Sequence, residues 1–199
     1  LMTLRREVLP EPEGPITATS SMGLTKPEFF CSTCLKCVLP SFLMTGMGKP
    51  LSLFSREAPE ASTEEARAII DGALAKGAAL NLQPLAITVL DAGGHMKAFL
   101  RQDGASNQRF EISRGKAAGA IGMGLGSRSL NARAEAQAYF INAVSQLIPG
   151  GLVPVPGGVL IKVDGVIAGA VGISGDNSDN DEACAIAGIE AAGLTADAG

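Results

Sequence analysis

Three cysteines near the start of the chain have the spacing of a metal site. Cys31, Cys34 and Cys37 form two overlapping CxxC units, and this spacing lets two thiolates hold one metal ion. Zinc or an iron–sulfur cluster would need a fourth ligand, for which Cys184 and His95 are the only other soft candidates. Neither belongs to a second CxxC, so the sequence carries half of a usual metal site.

His95 is the only histidine in the chain. This limits the kinds of catalytic site that the protein could contain. A Ser–His–Asp or Cys–His arrangement would have to use His95 itself. The Gly-x-Gly-Ser sequence ending at Ser127 follows a predicted helix rather than a strand, so it is not a nucleophile elbow. No Gly-x-Gly sequence opens a βαβ unit, so no dinucleotide-binding fold is indicated. The common hydrolases and dehydrogenases are therefore excluded.

The composition divides the 199 residues into two parts. Residues 1–60 read as an extension that lacks a core of its own, and residues 61–199 read as one domain rich in alanine, glycine, isoleucine and valine. One interpretation of the extension is that it lies upstream of a natural start at Met44 or Met47. Seven of the 11 prolines lie in the extension: Pro10, Pro12, Pro15, Pro27, Pro40, Pro50 and Pro59.

The net charge of −4 excludes several classes of partner. Nucleic-acid binding requires a clustered basic surface and is favoured by stacking aromatics, whereas this chain has no tryptophan and only Tyr139 as a tyrosine. No run approaches the roughly 18 apolar residues that cross a bilayer. The apolar run at 37–44 is short, broken by Pro40 and preceded by acidic residues, so it is a poor signal peptide. We expect neither nucleic acid nor membrane as a partner, with a cytoplasmic location by default.

The elements that would position the reactive residues can be read from the pattern of the domain. Ser62-x-x-Glu65 is a capping box that opens an amphipathic helix. Residues 85–90 and 95–101 form a hairpin around a glycine turn, and Asp164-Gly165 lies between the strands of a second hairpin at 159–163 and 166–173. Between the hairpins we predict one helix through Met123, capped by Ser106 or Asn107, and another over residues 132–147.

A last helix opens near Ser178 and is apolar on all sides, which indicates that it is covered on more than one side and suggests a second subunit. The order is helix, hairpin, two helices, hairpin, helix. Because the strands come in antiparallel pairs, we predict an α+β fold with a four- to five-stranded antiparallel sheet flanked by helices.

Five segments, in this order, resemble the GlcG/HbpS family, the haem-binding domain also found at the carboxyl end of PduO-type corrinoid adenosyltransferases. The resemblance covers about Ser62 to Leu194 and does not include the extension. The segments are VLDAGGH at 89–95, RQDGA at 101–105, GGLVPVPGGV at 150–159, VDGVIAGAVGISG at 163–175 and DEACA at 181–185.

The resemblance implies a profilin-like fold, a compact homo-oligomer that is often an octamer, and haem or a related tetrapyrrole as cofactor. It implies haem sensing, storage or breakdown, whereas relatives in catabolic gene clusters imply action on small organic molecules. Three hypotheses follow: a haem-binding oligomer, a small-molecule catabolic enzyme (lyase or isomerase) using Lys116 or His95 in a subunit-interface pocket, and a non-catalytic assembly domain.

The resemblance also assigns candidate site residues. His95 matches the family's Gly-Gly-His and is the candidate axial ligand of haem iron, with a local hydrogen bond at the start of a strand as the alternative. Arg101 matches its Arg-x-Asp-Gly and would pair with a haem propionate, or else with Asp103. Lys116 matches a helical lysine of the family and would be a buried ion-pair partner or a carboxylate clamp. Arg114, half a turn away, has the same two options.

Two loops complete the set of candidates. Pro156, Gly157 and Gly158 would line a pocket or a subunit contact, or would only turn the chain before a strand. The loop at Ser174-Gly175 precedes a helix and could hold an anion at the free N–H groups. The acidic residues that follow it would repel an anion and are typical of a helix start.

Overall fold

The computed structural model describes residues 59–199. The cysteine motif at Cys31, Cys34 and Cys37 and the interpretation of Met44 or Met47 as the start lie outside these residues. The order of elements is α1 (Thr63–Ala79), β1 (Ala86–Asp91), β2 (Met96–Arg101), α2 (Arg109–Met123), α3 (Ser127–Ala136), α4 (Ala138–Ser145), β3 (Gly158–Val163), β4 (Val166–Ser174), α5 (Ser178–Ala191) and β5 (Thr195–Asp197).

The five strands form one antiparallel sheet in the order β2-β1-β4-β3-β5. The prediction of an α+β fold with a four- to five-stranded antiparallel sheet is confirmed. Helices α1 and α5 pack on one face of the sheet, around Ile87, Val171 and Ile173. Helix α2 packs on the other face, against Leu90 and Leu160.

Local sequence accounts for the ends of several elements. The capping box is present as predicted: Glu65 N–H donates to Ser62 Oγ, and Ser62 N–H donates to the Glu65 carboxylate. Asp164 and Gly165 both have positive φ values, 50° and 80°, as the tight turn between two twisted strands requires. The predicted second hairpin is therefore confirmed.

Helix α2 lies unusually close to the sheet because glycines face it. A Cβ on Gly172 of β4 would lie 1.9 Å from the carbonyl oxygen of Ser113 in α2, and one on Gly158 of β3 would lie 2.5 Å from that of Lys116. The hydroxyls of Thr88 and Ser113 are 2.8 Å apart and satisfy each other in this buried contact. Glycine on the sheet side therefore permits this close approach of the two backbones.

Two local predictions were wrong. The helix predicted over 132–147 is two helices, α3 and α4, because Gln137 leaves the helical conformation at φ −141° and ψ 57°. Neither Ser106 nor Asn107 caps α2; its cap residue is Gln108, which makes no side-chain cap hydrogen bond.

Helix α5 is covered on two sides within the chain, as its apolar composition predicts. One side contacts the sheet, and the other lies so close to α1 that a Cβ on Gly188 would be 2.4 Å from Ile69 O. The cover therefore comes from α1 and the sheet, and α5 does not by itself require a second subunit. No helix among residues 59–199 is both long and apolar enough to cross a membrane.

Candidate functional site

A cavity of about 570 Å³ lies beside α2, and we call it the α2 cavity. One face of α2 forms its floor, through Phe110, Arg114, Ala118 and Ile121. The β1–β2 turn, with His95, forms one wall, and the segment after α4, with Ile148, forms the other. Its size falls within the roughly 300–1,000 Å³ range of sites for small molecules and cofactors.

Asp91 builds the turn that carries His95. Its Oδ1 accepts hydrogen bonds from the N–H groups of Gly93 and His95, both at 2.9 Å. Gly94 has a φ of 82°, which a residue with a side chain rarely adopts. Gly93 also makes room for the imidazole, since a Cβ there would lie 2.9 Å from His95 Nδ1. The predicted glycine turn therefore orients the histidine as well as joining the strands.

The imidazole of His95 is free to take a ligand. Its side chain is 83% exposed, and Nδ1 lies 3.4 Å from Asp91 Oδ1. Because Nδ1 faces a carboxylate, Nε2 is the nitrogen left for a metal or another partner.

Arg114 lies on the floor of the α2 cavity and is half-buried. Its guanidinium rests against Gly150, where a Cβ would lie 2.9 Å from Cζ. Within the described residues it forms no ion pair. A half-buried guanidinium without a carboxylate is suited to binding an anionic group of a ligand.

The other predicted site residues lie at the opposite end of the sheet. Arg101 ends β2 in the same row of the sheet as Ala86 and Ser174, and its guanidinium donates to Asn107 Oδ1, not to Asp103. Gly158 pairs with Gly172 near that row. His95 precedes the other end of β2, six residues or about 20 Å away. Within the chain, the structure therefore does not bring His95 together with Arg101 or residues 156–158.

Lys116 forms a buried ion pair with Asp181 of α5. Its Nζ lies 2.8 Å from Asp181 Oδ2, and the two side chains are 2% and 1% exposed. The pair lies beside Gly157, where a Cβ would be only 2.8 Å from Lys116 Nζ. Burial lowers the pKa of the Lys116 amine and raises the pKa of the Asp181 carboxyl, while their mutual attraction opposes both shifts. Lys116 thus joins the two helical layers and does not line the α2 cavity.

Arg128 and Cys184 are not available to a ligand in the α2 cavity. Arg128 binds Glu182 and Asp179 near the start of α5. Cys184 is a buried free thiol whose pKa is raised to about 11 by burial, so it is a poor nucleophile. Among residues 59–199, no group of three or more His, Cys, Asp or Glu side chains could hold a metal ion.

The sequence offered Arg114 only as a neighbour of Lys116 with the same two options, and it did not identify Asp181 as the partner of Lys116. Arg114 could have been found from helical spacing, because Phe110, Arg114, Ala118 and Ile121 recur at intervals of three or four and share one face of α2. No local signal links Lys116 to Asp181, since 65 residues separate them.

Comparison with known proteins identifies what this architecture is similar to. A family model described as "Haem degrading protein HbpS-like" matches residues 62–190. A crystal structure of a PduOC:haem complex is 24% identical, with a TM-score of 0.62 over 68% of this chain and 96% of that one. HbpS of Streptomyces reticuli, crystallised as a double mutant, is also 24% identical, with a TM-score of 0.59 over 77% and 97% of the two chains.

Protein ORFY of Klebsiella pneumoniae is 20% identical, with a TM-score of 0.64 over 70% of this chain and 94% of that one. A search among curated proteins finds no match. At these identities the solved structures establish the shared fold, and the family model spans most of the described domain.

Proposed function

The chain belongs to the HbpS-like family, and on that premise we propose that it binds haem in the α2 cavity. The observation that carries the proposal is the pairing of two groups in one cavity of about 570 Å³. His95 offers an unoccupied Nε2 at the rim, and Arg114 offers a guanidinium on the floor that forms no ion pair within the described residues.

The side chains of the α2 cavity match the chemistry of haem. The macrocycle is apolar and flat, its propionates are anions, and its iron takes imidazole nitrogen as an axial ligand. Phe110, Ile121 and Ile148 supply apolar walls, and Arg114 supplies a cation for a propionate. Ala118 and Gly122 project little from α2, and Ile148 packs over Gly122, where a Cβ would lie 2.9 Å from its Cδ1.

In this proposal each residue has one task. His95 Nε2 ligates the iron, and Asp91 fixes the orientation of the ring through Nδ1. Arg114 holds a propionate, and the apolar side chains exclude water from one side of the macrocycle. Bound haem would supply an iron centre for redox and oxygen chemistry, and the family description favours haem breakdown over sensing or storage.

A haem titration followed in the Soret region tests the proposal. We expect the wild-type protein to bind at micromolar concentration, His95→Ala to lose the spectrum of an imidazole-ligated iron, and Arg114→Gln to bind roughly 10- to 100-fold more weakly. Arg67→Gln, on the opposite face of the sheet, is the control and should bind as the wild type. No binding by the wild type would end the proposal, and an unchanged spectrum in His95→Ala would end the ligand assignment.

The same haem titration also tests the other site residues that were predicted from the sequence. Arg101 and residues 156–158 lie at the other end of the sheet from His95 within one chain, so a haem at His95 would meet them only on another subunit, whereas Lys116 is buried against Asp181. Arg101→Gln therefore reports on a shared site, because weaker haem binding in that variant would require a neighbouring copy. Of the two groups that the catabolic-enzyme hypothesis uses, Lys116 is 2% exposed and faces Asp181, whereas His95 lines the cavity.

We also propose that the protein forms a homo-oligomer. The octamer that the family resemblance implies and the cytoplasmic location stay predictions. Support comes from large apolar side chains on the α4 side of the domain, where Leu147 is 80% exposed and Tyr139 is 75% exposed. Such surfaces are typical of protein contacts when they are contiguous. Light scattering of the purified protein should give a multiple of 20.2 kDa, and a monomer would contradict the proposal.

A further inference from the structure

A second, smaller cavity lies at the opposite end of the sheet from His95, and we call it the Arg109 cavity. Its volume is about 200 Å³, and its lining includes Arg109, Ser106, Gln83 and Gly175. It lies where two of the sequence segments described above, 101–105 and 163–175, meet the start of α2. No residue of the Arg109 cavity lines the α2 cavity.

Arg109 is the charged group of this cavity. Its Nη1 donates to the hydroxyl of Ser174 at 3.0 Å, and Ser174 itself is 1% exposed. Within the described residues, Arg109 forms no ion pair. The buried, neutral hydroxyl of Ser174 therefore fixes the position of the guanidinium. In this part of the chain, no carboxylate lies at hydrogen-bonding distance from the positive charge of Arg109.

The neighbouring carboxylates are occupied by other donors. Asp176 accepts from Gln83 N at 3.1 Å, from Asn177 N at 2.8 Å and from Asn180 Nδ2 at 2.9 Å. Asp181 is held by Lys116 at 2.8 Å and by the N–H of Asp176 at 3.1 Å. Because these carboxylates are held by other donors, the guanidinium of Arg109 keeps its own donors for an added anion. The carboxylates would repel any added anion, and a doubly charged one more strongly than a singly charged one.

We infer that the Arg109 cavity binds a small monocarboxylate, which Arg109 holds through a bidentate pair. At roughly 30 Å³ for each water-sized group, about 200 Å³ holds about six non-hydrogen atoms, as in a three-carbon hydroxy acid. The Ser106 hydroxyl lines the same space and donates to the bound acid. The N–H of Arg109 itself donates to Ser106 O at 3.1 Å, so the guanidinium supplies the charged donors for the acid.

Titration calorimetry at constant ionic strength tests the inference on the haem-free full-length protein. Lactate is the probe, its neutral amide is the uncharged control, and inorganic phosphate is the competing anion. We expect lactate to bind with a Kd on the order of 1 mM, the amide not to bind, and phosphate to bind more weakly than lactate. Arg109→Gln should weaken lactate at least about tenfold, whereas Arg67→Gln should match the wild type.

Equal lactate affinity in Arg109→Gln and wild type would overturn the site, and tighter binding of phosphate than of lactate would overturn the ligand class. A second measurement uses the wild-type protein alone, in case the variant does not fold. Phenylglyoxal modifies accessible arginines, and peptide mapping with saturating lactate should show protection at Arg109 and none at Arg67. Absence of protection at Arg109 would also overturn the inference. Neither readout involves haem, so each is independent of the function proposed above.

Discussion

Replacing Lys116 by methionine should destabilise the domain by about 3–5 kcal/mol at pH 7. The substitution keeps the length of the side chain but removes the cation that faces Asp181 at 2.8 Å. Removing one partner of a buried ion pair leaves an uncompensated charge, and the loss is typically of this size.

The surroundings of Asp181 support the upper part of that range. Its side chain is 1% exposed, so water cannot replace the lost ammonium without opening the structure. The carboxylate would keep one hydrogen bond, from the N–H of Asp176 at 3.1 Å. Since small domains are stable by only about 5–15 kcal/mol, a loss of this size moves the urea midpoint far outside experimental error.

The loss should shrink as the pH falls. Burial raises the pKa of the Asp181 carboxyl, and attraction to Lys116 opposes that rise. Without Lys116, the pKa in the folded state therefore rises further above its value in the unfolded state. A folded protein with the higher pKa binds more protons, so it gains stability as the pH falls through that pKa towards the unfolded value of about 3.9. The gain has a limiting slope of about 1.4 kcal/mol per pH unit.

Urea unfolding followed by circular dichroism at pH 5 and pH 7 measures both effects. Asp181→Asn added to Lys116→Met should recover part of the stability, because the amide oxygen still accepts from Asp176 N–H and no buried charge remains. The matched control is Lys97→Met, whose partner Glu60 is 48% exposed, and its stability should stay close to that of the wild type. The stabilising role of the Lys116–Asp181 pair is refuted if the free energy of unfolding of Lys116→Met lies within about 1 kcal/mol of the wild type at pH 7. It is also refuted if the loss of stability in that variant does not change with pH.

Three further predictions use other parts of the domain. Gly172→Ala should cost about 3 kcal/mol or more by urea unfolding, because its Cβ would lie 1.9 Å from Ser113 O. Gly165→Ala, with open space but a φ of 80°, should cost only about 1–2 kcal/mol; equal costs would contradict the packing argument. Asp91→Ala should weaken haem binding about 10- to 100-fold, the usual effect of losing an orienting partner. Cys184 should react with a thiol reagent only after unfolding, so rapid labelling of the peptide that contains Cys184 in the native protein would refute its burial.

Much of the fold follows from local chemistry that can be read along the chain. The capping box at Ser62 and Glu65 and the turn at Asp164-Gly165 are each decided by a few neighbouring residues, and both are as predicted. The break at Gln137 carries no such signal, since alanine and glutamine favour a helix on both sides. The short strand β5 is likewise decided by its pairing with β3, a long-range contact.

The candidate site, like the fold, could be predicted from the sequence only where local residues decide its geometry. The glycine turn predicted that His95 would lie just past the turn of a hairpin, and the hairpin alone implied that His95 and Arg101 lie at opposite ends of a strand. The resemblance to a family grouped them as one site, because order along a sequence does not report distance in space. The pairing of Lys116 with Asp181 depends on how α2 and α5 meet past Gly157, which no pattern in either helix determines.

The close contact between α2 and the sheet has a consequence for how this protein can move. At Gly172 and Gly158 the backbone of α2 touches the backbone of the sheet, and on its outer side Leu152 and Val153 fill the space over Gly119 and Gly115. A helix held in this way cannot slide or rotate against the sheet without a clash. We therefore expect α2, which borders both cavities, to keep its position relative to the sheet. Opening of the α2 cavity must therefore come from the β1–β2 turn and from residues 147–151. Their amide hydrogens should exchange with solvent faster than those of α2.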